Sequence, residues 1–269
     1  MDLALSGKVA LVTGSSRGIG KAIAMELARE GAVTVICGRD EARTHLAYHE
    51  VRSVSVNYCH YFCLDAMKAH EIKNMFRSLL WRQLNKIDVL VNNLGGPLSF
   101  GKFEDLADDD WLDNWIFNLM SVVRFTREAL PWLKKSASGR IINISAVPAK
   151  QPGEFNPHYA VSKAAVENLT KSMANEFARY NILVNAIRPN TLEGGLWEEN
   201  VKDRANRDNI SIEEAAEKIK ASTFRKSPLQ RMGEPEDVAN LVAFLASDKA
   251  KHITGTVINV DGGTVRSAA

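Results

Sequence analysis

Along this chain, short runs of consecutive apolar residues alternate with longer stretches in which apolar residues recur every three or four positions. The first pattern fits a strand buried on both faces, and the second an amphipathic helix with one face on a core. Val9-Ala10-Leu11-Val12 is the first such run, and Lys21 to Glu30 reads as a helix stopped by Gly31. Val33 to Cys37 is predicted as the second strand and Val54 to Leu64 as the third. Lys68 to Leu84 carries Ile72, Met75, Phe76 and Leu79 at helical spacing. Ile87 to Val91 is the fourth strand, Leu106 to Leu133 a long helical region with Trp111, Trp115, Phe125 and Trp132, and Arg140 to Ile144 the fifth strand. A helix holding Tyr159 then reaches about Ala178. Ile182 to Ile187 is the sixth strand, Glu234 to Ser247 a helix, and Gly255 to Gly263 a last strand and turn.

The stretch from 191 to 227 breaks this strand–helix rhythm. It is highly charged, and Ser211-Ile212-Glu213-Glu214 is a capping box that opens a helix to about Lys220. We read it as a helical insertion that covers a site and supplies substrate contacts. No repeat, low-complexity tract or linker divides the chain, so 1–269 is taken as one α/β domain.

Composition narrows the function by exclusion. Net charge is +2, from 34 basic and 32 acidic residues, which offers no electrostatic case for nucleic acid or an anionic membrane. The opening residues carry no apolar run of the secretory kind, and no stretch of about 20 apolar residues is available to span a membrane. A cytoplasmic protein is expected. Cys37, Cys59 and Cys63 do not make a disulfide framework. Neighbours Cys59 and His60 face opposite sides of a strand, so no metal site is expected there.

Chemistry is carried by two stretches. Thr13-Gly14-Ser15-Ser16-Arg17-Gly18-Ile19-Gly20 lies between a strand and a helix. Glycines there let a backbone approach a pyrophosphate, and the helix N-terminus offers free N–H groups and a partial positive charge. At the end of the second strand, where an acid would hold a ribose 2′-hydroxyl, the chain reads Gly38-Arg39-Asp40. Arg17 and Arg39 would clamp a 2′-phosphate, favouring NADP(H), while Asp40 as a displaced acid would favour NAD(H). Asp65, after the third strand, either meets an adenine amino group or caps the next helix. The second stretch is Tyr159-Ala160-Val161-Ser162-Lys163, which puts Tyr159 and Lys163 one helical turn apart. An ammonium beside a phenol lowers the phenol pKa and lets it exchange a proton with a substrate oxygen. Asn118 is polar in an apolar stretch and must be hydrogen-bonded if buried.

Together, Thr13-Gly14-x-x-x-Gly18-x-Gly20, Asn92-Asn93-x-Gly95, Asn118, Tyr159-x-x-x-Lys163, Arg188-Pro189 and Asp261-Gly262-Gly263 resemble the short-chain dehydrogenase/reductase family over nearly the whole chain. Members similar to 3-oxoacyl-carrier-protein reductases look nearest. The resemblance implies a doubly wound Rossmann sheet of seven parallel strands, a nicotinamide cofactor, hydride transfer and a homotetramer or homodimer. It implies that Tyr159 is the general acid or base, that Lys163 lowers its pKa and binds the nicotinamide ribose, and that Asn118 holds a water relaying protons to Lys163. It further implies cofactor contacts from Gly14, Ser16, Arg17, Gly18, Ile19, Gly20, Arg39, Asp65, Asn92, Asn93, Leu94, Tyr159, Lys163, Pro189, Asn190 and Leu192.

Three positions depart from the family pattern. Leu94 stands where Ala is usual, and Asn190 where Gly follows Pro189, though Asn tolerates a left-handed backbone. The family's serine, which hydrogen-bonds the substrate oxygen, usually lies thirteen residues before the tyrosine. That position is Ala146; Ser145 is one residue further away, and on a strand one residue flips the side chain. Either Ser145 serves through a longer loop or the site lacks the serine, at a cost of about 10²–10³ in rate. The expected function is an NADP(H)-dependent oxidoreductase acting on a small-molecule ketone or secondary alcohol. The alternatives are a catalytically weak nucleotide-binding regulator and an NAD-dependent diol or sugar dehydrogenase.

Overall fold

A computed structural model describes residues 2–81, 84–192, 194 and 197–267. Residues 82 and 83 of the expected third helix, and 193, 195 and 196 of the expected insertion, lie outside the described residues. The order is β1 (Val9–Val12), α1 (Gly18–Arg29), β2 (Val33–Gly38), α2 (Glu41–Val54), β3 (Cys59–Cys63), α3 (Ala69–Trp81), β4 (Val89–Asn92) and α4 (Asp108–Trp115). There follow α5 (Ser121–Leu133), β5 (Gly139–Ile144), α6 (Pro157–Phe177), β6 (Ile182–Pro189), α7 (Trp197–Asp208), α8 (Ile212–Lys226), α9 (Pro235–Ala246) and β7 (Val257–Val260).

The strands form one parallel sheet ordered β3-β2-β1-β4-β5-β6-β7. Every residue of β1, β4 and β5 is buried, because helices cover both faces. The pleat divides the core. Ala10, Val12, Val89 and Val91 join Ile23, Leu27, Val242 and Leu245 on the side of α1 and α9. Val9, Leu11 and Leu90 join Leu79, Phe125, Leu133 and Met173 on the side of α3, α5 and α6. The chain steps outward in opposite directions from β1 and β4, so a crevice opens between their carboxyl ends, where α/β sheets of this type bind ligands.

Several boundaries differ from the sequence reading. Residues 41–54 form α2, so Val54 ends a helix rather than opening β3; Thr44, Ala47 and Val51 are its buried face. α1 starts three residues earlier than expected, inside the glycine-rich turn. The expected helix from Leu106 to Leu133 is α4 and α5 joined by a π-helical turn, Ile116–Met120. The insertion holds two helices, α7 and α8, packed through Val201, Ala205 and Ala215. Ser211 caps α8, and the helix runs on to Lys226.

Candidate active site

The turn after β1 is built for close backbone approach. A β-carbon on Gly20 would lie 2.3 Å from the Gly14 carbonyl oxygen and 2.4 Å from Asn93 Nδ2, so only glycine fits. The loop after β4 is tied to this turn. Thr13 Oγ1 accepts from the Asn93 and Leu94 amides at 3.0 and 3.1 Å, and Asn93 Nδ2 donates to the carbonyls of Thr13 and Gly14 at 2.9 Å each. α1 has no side-chain cap and no acid in its first turn, which leaves its N–H groups open to an anion. The residues present therefore fit the pyrophosphate of a dinucleotide. Asn92 turns the other way: its Nδ2 donates to Thr126 Oγ1 and Asn143 Oδ1 inside the core.

The end of β2 bears on the cofactor's ribose. A β-carbon on Gly38 would lie 2.4 Å from Thr44 Oγ1 and 2.9 Å from Ser16 Cβ, so this position cannot carry the acid. Asp40 is the N-cap of α2 and accepts from the Arg43 amide at 2.8 Å. Asp65 Oδ1 likewise accepts from the Met67 amide at 3.0 Å, in the turn leading to α3. Arg39 is exposed, and Arg17 pairs with Glu199 of α7 at 2.5 Å.

Tyr159 and Lys163 lie one turn apart on α6, with the Lys163 Nζ 5.9 Å from the centre of the Tyr159 ring. Lys163 is buried and donates to the Ile144 carbonyl at 2.8 Å. Burial pushes its pKa down to about 8, against the opposing charge of Glu167. Burial of the Tyr159 phenol raises its pKa above the ordinary value of 10. The sequence reading expected Lys163 to lower it; here desolvation prevails and the ammonium is turned onto Ile144. Asn118 is buried in the π-helical turn. Its Oδ1 accepts from the Gly96 amide at 2.8 Å, and its Nδ2 donates to Gly96 O and to Asn114. The side chain thus braces the loop after β4. A β-carbon on Gly95 would lie 2.6 Å from Lys163 Nζ and 2.7 Å from Asn118 Oδ1, so that glycine separates the two.

The Ser145 hydroxyl is already engaged. Its amide continues the β5–β6 ladder by donating to Ile187 O at 2.8 Å, and its Oγ donates to Glu167 Oε1 at 2.6 Å. Glu167 also accepts from Arg188 Nε and Nη2 at 2.8 and 2.7 Å. Glu167 is eight residues beyond Tyr159 on α6, about 12 Å along the helix axis. The Ser145 hydroxyl is thus engaged by a residue about two helical turns beyond Tyr159. Ala146, in extended backbone with φ −161°, is the next residue and takes the opposite side. Sequence reasoning passed over Glu167, although its position four residues after Lys163 put it on the same helical face.

The remaining expected contacts lie at and just beyond the end of β6. Pro189 ends β6, and Asn190 Nδ2 donates to Thr264 Oγ1 at 2.8 Å. Asn190 has a negative φ, so the left-handed turn anticipated for it does not form. Leu192 bridges to Gly233 and is buried. Arg207 of α7 lies over the ring of Phe155, in the loop leading to Tyr159, at 4.1 Å. The insertion thus touches the glycine-rich turn through Glu199 and the approach to Tyr159 through Arg207. No spacing in the sequence announces the Arg17–Glu199 contact, since 182 residues separate the partners.

Known proteins are similar to this chain in sequence and fold. A family model described as enoyl-(acyl carrier protein) reductase matches residues 14–265. The 3-oxoacyl-[acyl-carrier-protein] reductase FabG of Aquifex aeolicus is 35% identical over 98% of this chain and 99% of its own. The Bacillus subtilis oxidoreductase YvaG is 34% identical over 99% of both. The crystal structure of L-sorbose reductase from Gluconobacter frateurii, complexed with NADPH and L-sorbose, superposes with a TM-score of 0.91 at 31% identity, covering 99% of this chain and 100% of that one. The chain belongs to the short-chain dehydrogenase/reductase family of oxidoreductases.

Proposed function

We propose that the protein is an NADP(H)-dependent oxidoreductase that interconverts a small-molecule ketone and its secondary alcohol. The observation that carries this reading is the placement of Tyr159 and Lys163 on one face of α6, with Lys163 across Gly95 from Asn118. Three features support the phosphorylated cofactor: Gly38 leaves no room for an acid, Asp40 is engaged as a helix cap, and L-sorbose reductase binds NADPH on the same fold. Arg17 and Arg39 would hold the 2′-phosphate, and the open N-terminus of α1 the pyrophosphate.

When bound, the nicotinamide supplies the hydride in reduction and accepts it in oxidation. Tyr159 donates its phenolic proton to the carbonyl oxygen, or takes it from the alcohol in the reverse direction. Its raised pKa keeps the phenol protonated at neutral pH, which suits reduction. Lys163 provides the positive charge that steadies the phenolate left behind, and returns to it a proton from solvent. Asn118 acts by holding the Gly95-Gly96 loop beside Lys163. Ser145 is engaged by Glu167 and Ala146 has no hydroxyl, so Tyr159 is the chain's own donor to the substrate oxygen.

The test is NADPH oxidation at 340 nm against β-ketoacyl thioesters, cyclic ketones, quinones and ketose sugars, with Tyr159→Phe as control. Turnover that disappears in the control is the expected result. Tight NADPH binding without turnover on any carbonyl would overturn the enzyme reading in favour of a nucleotide-binding regulator.

A further inference from the structure

The insertion's contact with the glycine-rich turn has a meaning beyond closure. Arg17 immediately precedes α1, and its guanidinium meets the Glu199 carboxylate of α7 at 2.5 Å. Burial pushes the Glu199 pKa up, but the Arg17 hydrogen bond and the charges of Arg17 and Arg43 more than offset this and hold it below the usual carboxylate value. Arg43 is in the first turn of α2, next to Asp40 and Arg39. The second carboxylate oxygen, Glu199 Oε2, is buried and has no hydrogen-bond partner among the described residues. The carboxylate is thus held by Arg17 through one oxygen only, with the charge of Arg43 nearby, so the contact is incomplete and open to displacement by an anion that engages Arg17 more fully.

We propose that Glu199 is a cofactor-discriminating residue, its carboxylate occupying the position at Arg17 that a ribose 2′-phosphate would take, so that α7 and a phosphorylated dinucleotide compete for the same arginine. This rests on the reading of Arg17 as a phosphate ligand. Two consequences follow from charge alone. NADPH must displace Glu199, because a carboxylate and a phosphate in one position repel each other. NADH has only a hydroxyl there and leaves the Arg17–Glu199 pair in place. The cofactor's phosphate is therefore read by the substrate-covering insertion as well as by the turn. The pair is partly exposed on both sides, with side chains 33% and 41% accessible, so the competition is modest.

The experiment is a titration of the whole protein with NADPH and with NADH, followed by nicotinamide fluorescence, in the natural chain, Glu199→Gln, Arg17→Ala and the double variant. Glu199→Gln is expected to tighten NADPH about two- to fivefold, the range an exposed ion pair sets, and to leave NADH within twofold. Arg17→Ala should weaken NADPH and abolish the effect of Glu199→Gln, since the two act through one contact. Hydrogen exchange along residues 197–208 should rise with saturating NADPH and not with NADH. Equal tightening of both cofactors, or weaker NADPH binding in Glu199→Gln, would overturn the competition and make the pair a plain fastening of the insertion. Failure of the natural chain to bind either dinucleotide would instead refute the cofactor reading beneath it.

Discussion

At the scale of single residues, the site is governed by desolvation more than by charge pairing. Burial pushes Tyr159 up and Lys163 down, in each case toward the neutral form. Lys163, with a pKa of about 8, is charged below that pH and progressively neutral above it. Carbonyl reduction needs the Tyr159 proton and the Lys163 charge together. Its kcat is expected to hold level through pH 7 and to fall as pH rises through about 8, whereas alcohol oxidation, which needs the phenolate, should rise with pH. A pH profile of reduction that stays flat to pH 10 would contradict the role given to Lys163. Ser145 makes a second residue-scale prediction. Ser145→Ala should lower kcat less than tenfold, because its hydroxyl serves Glu167; a loss of about 10²–10³ would show that it reaches the substrate oxygen.

At the scale of elements, close packing decides which segments meet. The π-helical turn between α4 and α5 carries Asn118, whose amide is consumed by Gly96 and Asn114. Gly95 fills the narrow space between that amide and Lys163 Nζ. Gly95→Ala would bring a methyl within 2.6 Å of Nζ and must push the ammonium aside. We expect kcat to fall at least tenfold, with a smaller change in thermal stability; unchanged kinetics would show that Lys163 has room to move. The helices α7 and α8 form their own small apolar cluster, and α7 meets the body of the protein at Arg17 and Phe155 through Glu199 and Arg207. Such a hairpin can shift as a unit at little cost, which suits a cover over a site.

At the scale of the molecule, the exposed apolar side chains are informative. Phe103, Leu112, Trp115 and Val161 are exposed around α4 and the start of α6. Exposed large apolar groups of this kind mark interaction surfaces. A homo-oligomer formed through this face is the expected state, and Leu112→Glu with Trp115→Glu should lower the mass measured by light scattering. A wild-type mass of one chain would remove the prediction. Among the described residues, no helix is long and apolar enough to cross a membrane.

Apolar runs marked the central strands, because a strand covered by helices on both faces is mostly apolar, while β3 and β7 are only partly buried; the helical spacing of Tyr159 and Lys163 determined that pair, because it is local. Residues 41–54 escaped notice because their apolar positions are sparse among charges, and the helix shows only when Thr44, Ala47 and Val51 meet the sheet. The long-range decisions belonged to the tertiary structure. Which way Ser145 points depends on Glu167 and Arg188 waiting on α6 and β6. That Gly38 has no room for an acid depends on Ser16 from the turn after β1 and Thr44 from α2 converging on it. That Arg17 faces Glu199 depends on an insertion folding back across 182 residues. Spacing along a chain fixes which side chains share a face of one element; only packing between elements fixes what each face meets.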